Sequence, residues 1–225
     1  MKAMFLCPLE HMGASEILDI CDPDALVQVR AKDAHPEIRA YSIGHEGDAQ
    51  GRMIGAGVKI IHYAGEVIRG LFSRLSIGTD VFHRHANGNS HAGRVAIGTV
   101  IGKALQDIGG RLHTVAVVYV DPAWRNVPLD VASIEADVAL QEDGQNYEAV
   151  DIDRVTGIAL SSSAVESPGF DGARLIGSVA FFEPDLTDPA NNPLIPDGKP
   201  VYGVGDVVDP AQNDLIVTIG GEPDA

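Results

Sequence analysis

Apolar positions along the chain recur with two different periods. Ala64, Val67, Ile68, Leu71, Phe72 and Leu75 fall at i, i+3, i+4, i+7, i+8 and i+11, which is one apolar face of a helix. A second, shorter helix is predicted over Ala14–Cys21. The rest of residues 1–183 reads as strand. β-Branched and apolar runs bounded by Gly, Pro or Asn-Gly predict strands at Leu26–Arg30, Val58–His62, Thr79–His85, Val95–Ile101, Leu112–Val120, Val131–Leu140, Val150–Leu160 and Leu175–Phe182. Eight strands with few helices predict a mainly β fold with flanking helices (α+β), as a closed or near-closed β-barrel. The same strands could also stack as a sandwich.

The periodic pattern stops at Pro184. Residues 184–225 hold seven of the thirteen prolines, and eight acids against one base, Lys199. Such a stretch has little with which to fill a core. The chain therefore divides into a β domain over 1–183 and a Pro-rich acidic C-terminal arm over 184–225, with one predicted strand at Leu215–Ile219. The arm either lies along the domain or a neighbour, or serves as a flexible linker.

Composition narrows the function. Of 225 residues, 45% are apolar and 21% charged, which is ordinary for a globular chain and argues against wholesale disorder. No run of about 18 apolar residues exists, so no membrane span is expected. The apolar stretch after Met1 is too short for a signal peptide. The formal net charge of −16 argues against a protein that holds nucleic acid by neutralising phosphates. Cys7 and Cys21 form no CxxC pair and no disulfide scaffold, so a reducing cytoplasm is the expected compartment.

Three segments could carry chemistry. In Phe82-His83-Arg84-His85 the two histidines stand at i and i+2 of a predicted strand and should share a face. With His91 they could hold zinc, but no ligand motif accompanies them; a general base is the alternative, and polar residues at a loop mouth the plainest account. In 130–140, alternation puts Ala132, Ile134, Ala136, Val138 and Leu140 on one face and Ser133, Glu135 and Asp137 on the other. A serine there is a nucleophile only with a base in reach, and otherwise a solvated side chain. Ser161, Ser162 and Ser163 follow an apolar run and precede turns at Pro168-Gly169 and Asp171-Gly172, as expected of a strand leaving the core.

In their order these segments resemble the head-maturation (prohead) serine proteases of tailed bacteriophages, whose fold is shared with herpesvirus assemblins. The elements are a strand ending in a histidine, here His85, with a Gly-Arg turn eight residues later, Gly93-Arg94-Val95. A strand bearing a serine follows, here Ser133, 48 residues after His85, and then a hydrophobic strand leading to a Pro turn, here Ile158–Leu160 and Pro168-Gly169. These elements cover roughly residues 80–180. The resemblance implies an assemblin-type barrel and a Ser133 nucleophile activated by His85. It further implies backbone oxyanion donors helped by Arg94, and no cofactor or metal. The implied partners are phage scaffold and capsid proteins and further copies of the chain, with no nucleic acid and no membrane. The implied place is the host cytoplasm, within the procapsid or virion. Many members carry an acid in the strand before the Pro turn, where this chain has Ser161-Ser162-Ser163. Asp153, with Asp151 and His113 as alternatives, is then the candidate for the group that orients His85. The missing acid and the acidic arm also fit a non-catalytic structural or decoration protein of a viral shell.

Overall fold

The computed structural model describes residues 11–53, 57–85, 94–144 and 146–181, and the backbone of 206–207. Its elements in chain order begin with the helices α1 (Ala14–Ile20) and α2 (Pro23–Lys32) and the strands β1 (Glu37–His45), β2 (Gly47–Met53) and β3 (Gly57–Tyr63). Helix α3 (Gly65–Arg74) leads to β4 (Asp80–His83), β5 (Ala96–Ile108) and β6 (Arg111–Val120). A 3-10 turn at Pro122–Trp124 precedes β7 (Val131–Asp143), β8 (Asn146–Ser161), β9 (Leu175–Ala180) and β10 (Asp206–Val207).

β8 organises the sheet. One of its edges is taken along its whole length by β7, antiparallel from Val131↔Ser161 to Asp143↔Asn146. The other edge is shared by two short parallel strands. β3 pairs with its first part (Ile61↔Tyr147 to Tyr63↔Ala149) and β4 with its last (Val81↔Ile158 to His83↔Leu160). From β4 the sheet continues through β5, β6, β1 and β9 to β10, and from β3 it continues to β2.

The sheet is mixed and is not closed into a barrel, which overturns the assemblin-type barrel expected from strand number and resemblance. The path leaves two open ends, β10 and β2. The contact that ties β7 to the segment before β9 is an isolated bridge, Val131↔Arg174, flanked by bonds from Ala132 N–H to Ala173 O and from Leu175 N–H to Asp130 O. The reason is that strand count carries no information on pairing: because β8 splits its second edge between β4 and β3, the β3–β2 hairpin branches away.

Other expectations change in detail. Leu26–Arg30, read as a strand, lies inside α2. Asp22 caps that helix by accepting from Ala25 N–H at 2.9 Å, and Pro23 occupies its first turn, where no N–H is needed. β1 and β2 were not foreseen. β1 lies between β6 and β9 and is buried from Ile38 to His45, so both of its faces carry core residues and it shows no alternation. β2 contains few apolar residues and exists by pairing with β3.

The 64–75 periodicity is realised in α3, which buries Val67, Ile68 and Leu71, with Leu75 just beyond its end. Each such side chain contributes about 1.5–3 kcal/mol. Lys103 of β5 closes the helix C-terminus by donating to Phe72 O at 2.8 Å and Leu75 O at 2.6 Å. Helix α1 sits on the sheet over Gly102, where a Cβ would stand 2.6 Å from Ile20 O. Of the arm, Asp206–Val207 pairs with Ala180 and Val179 of β9. The strand expected at 215–219 lies outside the described residues.

Candidate functional site

The three strands β4, β8 and β7 bring the chemistry-bearing segments to one sheet face. Phe82, Ala159 and Ser133 form one row across them, and Glu135 stands opposite Gly157. No register shift separates Ser133 from Glu135, so the two point the same way. Gly157 makes room here: a Cβ on it would stand 2.9 Å from the Phe82 ring. The Arg94 guanidinium lies 4.0 Å from the centre of that ring. Arg94 Nη1 donates to Glu135 Oε2 at 2.7 Å, and Nη2 to Arg84 O at 2.6 Å. The other carboxylate oxygen, Oε1, is 3.2 Å from His85 Nδ1. Burial alone would raise the pKa of Glu135, but hydrogen bonds from His85 and Arg94 and their charge outweigh it and bring it down to about 2.

Ser133 is half-buried, and its Oγ is 3.6 Å from where a Cβ on Gly169 would stand. Gly169 is itself tied to β2 through Gln50 N–H. The sheet thus brings Ser133 and His85 to one neighbourhood through Glu135, and among the described residues no hydrogen bond joins the two directly. Asp153 is elsewhere. It is exposed at a bulge of β8, seven residues from Leu160, the partner of His83, which is about 23 Å of strand. Asp151 accepts from the backbone N–H of Ile152, and His113 is buried against Ser42, so neither orients His85. The carboxylate that contacts His85 is Glu135. Glu135 is not among the residues expected to orient His85, although the alternation of β7 places it beside Ser133 on the polar face. Arg94, expected near the oxyanion, is engaged with Glu135 and Arg84.

The shared face expected for His83 and His85 does not form. Arg84 adopts φ +65°, a left-handed conformation that ends the strand alternation. His83 therefore packs its ring 4.8 Å from that of Trp124, on the side of Ala132 and Leu160, while His85 turns to Glu135. Burial, then the Arg84 charge, lower the pKa of His83. His91 lies outside the described residues, among which no group of three or more His, Cys, Asp or Glu is arranged to hold a metal.

The triple serine leaves the sheet as the turn residues suggested. Ser161 is buried opposite Val131, with no partner for its Oγ among the described residues. Ser162 Oγ accepts from Ala164 N–H, and Ser163 donates through both N–H and Oγ to Asp130.

A histidine whose Nδ1 donates to a buried carboxylate is fixed in the tautomer that leaves Nε2 as a base. His85 has that arrangement, and its side chain is 43% exposed, against 10% for Glu135. A hydroxyl presented to Nε2 could give up its proton there. The chain matches no family model, no curated protein and no solved structure.

Proposed function

We propose that this chain is a serine endopeptidase in which Ser133 is the nucleophile, His85 the general base and Glu135 the residue that positions His85. The observation that carries the proposal is the contact of His85 Nδ1 with Glu135, two residues along the same strand face from Ser133. In the reaction, His85 Nε2 takes the Ser133 Oγ proton as Oγ bonds to a peptide carbonyl carbon. It then returns the proton to the departing amine as the C–N bond breaks, and water releases the acyl group by the reverse sequence. Closing the last distance between Ser133 and His85 is a task for bound substrate, since such hydrogen bonds are often long before it arrives. Arg94 neutralises and holds Glu135, which leaves the oxyanion to backbone N–H groups. Following the resemblance, the proposed substrates are scaffold and capsid proteins of a tailed phage, cut inside the procapsid by an assembly of several copies.

The missing Ser133–His85 hydrogen bond favours a second reading, a non-catalytic shell protein. A fluorophosphonate probe on the full chain separates the two. Labelling at Ser133 that is lost in Ser133→Ala and in His85→Ala supports the peptidase. A folded protein with no labelled serine supports the shell protein.

A further inference from the structure

Behind the turn that faces Ser133 lies a buried histidine with an unusual demand for protons. His45, at the end of β1, is 2% exposed. Its Nδ1 is 2.8 Å from Glu46 O and its Nε2 2.7 Å from Asp171 O. Both partners are carbonyl oxygens, which only accept. A neutral imidazole has one N–H and would leave one of these short contacts as lone pair against lone pair; an imidazolium satisfies both.

The segment held in this way is the one that borders the candidate nucleophile. Going along it, Gly169 O accepts from Gln50 of β2, Ala173 O from Ala132 of β7, and Arg174 O from Ser42 of β1, all through backbone N–H groups. Between these anchors the chain turns at Gly172 (φ +84°), and Asp171 O is secured by the His45 side chain. Phe170, 3% exposed, packs its ring 5.3 Å from that of His45. We infer that His45 is a doubly protonated clasp that fixes the 169–172 turn against the strand bearing Ser133, and that loss of one of its protons frees the turn. The link to catalysis rests on the peptidase proposal; the clasp itself does not.

The clasp is complete at lower pH and opens as pH rises, because deprotonation removes one of the two donors. The ionisable side chain beside it is His113 of β6, itself acted on by Arg111 of β6 and Asp107 of β5, while Glu46 and Asp171 meet His45 through their backbone carbonyls. Helix α3 presents apolar Leu71 to the adjoining Gly44. His113, whose ring is 4.9 Å from that of His45, is the neighbour most easily confused with it. Burial first, and then the charges of His45 and Arg111, push the pKa of His113 down to about 4, so it adds no second charge near neutrality.

The test is a pH series on the full chain that combines nitrogen-15 NMR of the histidine rings with hydrogen–deuterium exchange of peptides spanning 164–175. Both His45 nitrogens should carry protons wherever the turn is protected. Exchange in the turn, corrected for its intrinsic pH dependence, should rise about tenfold or more as the second proton leaves, the effect of one charge-assisted hydrogen bond. His45→Gln should leave the turn open at every pH, and if that variant does not fold, the wild-type series still decides. A single N–H on His45 where the turn is protected, or protection that follows His113 instead, overturns the clasp. If exchange follows His45 but no serine is labelled by the probe, the clasp stands and the peptidase reading falls.

Discussion

Replacing Glu135 with Gln tests the site through two independent readouts. The substitution keeps the shape of the side chain and removes the charge that Arg94 and His85 share. The carboxyl pKa of Glu135 falls from an ordinary 4.5 to about 2, which corresponds by linkage to roughly 3 kcal/mol of native-state stability. That figure is an upper range, because the His85 side chain is 43% exposed and its share is screened by solvent. The share from Arg94, 13% exposed, is less screened, and in the variant Arg94 would face a neutral partner. Glu135→Gln should therefore cost about 2–3 kcal/mol near neutral pH, or roughly 4–12 °C in Tm for a chain of this size. The folded-state pKa is the lower one, so the stabilisation is complete above about 4.5 and fades as pH falls toward 2. Urea titrations of both proteins should show a gap at neutral pH that closes in that acid window. In the same variant, peptidase turnover should fall by up to about 10⁴-fold, as expected when the orienting acid is lost. A stability gap that does not change with pH, or no gap at neutral pH, would refute the electrostatic account of this cluster.

Three further outcomes test the packing of the fold. The Cys21 thiol is buried, donates to Ile17 O at 3.3 Å, and has its pKa pushed up to about 11 by burial; mass spectrometry of its peptide should show alkylation at mildly alkaline pH only after unfolding. Gly102→Ala would press a Cβ to 2.6 Å from Ile20 O, a backbone atom, and should destabilise by about 1–3 kcal/mol in denaturant titration. Tyr41→Phe removes a buried donor to Leu129 O at 2.8 Å and should cost about 1–2 kcal/mol, measurable in the same way. Since burial pushes the Tyr41 hydroxyl to about 12, that cost should not vary with pH between 5 and 9.

Helix α3 was legible because its apolar face is a property of residues within eleven positions of one another, and most of the strands were legible for the same local reason. Helix α2 was misread because Leu26–Arg30 is too short to show a period; the informative residues were Asp22 and Pro23 at its start. β1 was missed because a strand buried on both faces does not alternate. At the site, the polar face that carries Ser133, Glu135 and Asp137 could be read from alternation, but the partner of His85 could not. Glu135 reaches His85 across β8, from 50 positions away in the chain, and the pairing of β4 and β7 with opposite edges of one strand is not a local property. The candidate acids Asp151 and Asp153 lie elsewhere on β8.

Local periodicity and turn chemistry thus determined, from sequence alone, a mainly β chain with an amphipathic helix and an acidic, Pro-rich end. What only the tertiary structure decided was which strand edges meet. That choice left the sheet open, separated His83 from His85 at the left-handed Arg84, set Glu135 between His85 and Arg94, and enclosed His45 between two carbonyls. The physical reason is range. Backbone preference and side-chain period act over a few residues, whereas hydrogen-bonded edges and buried charges are settled by partners that the chain brings together only when it folds.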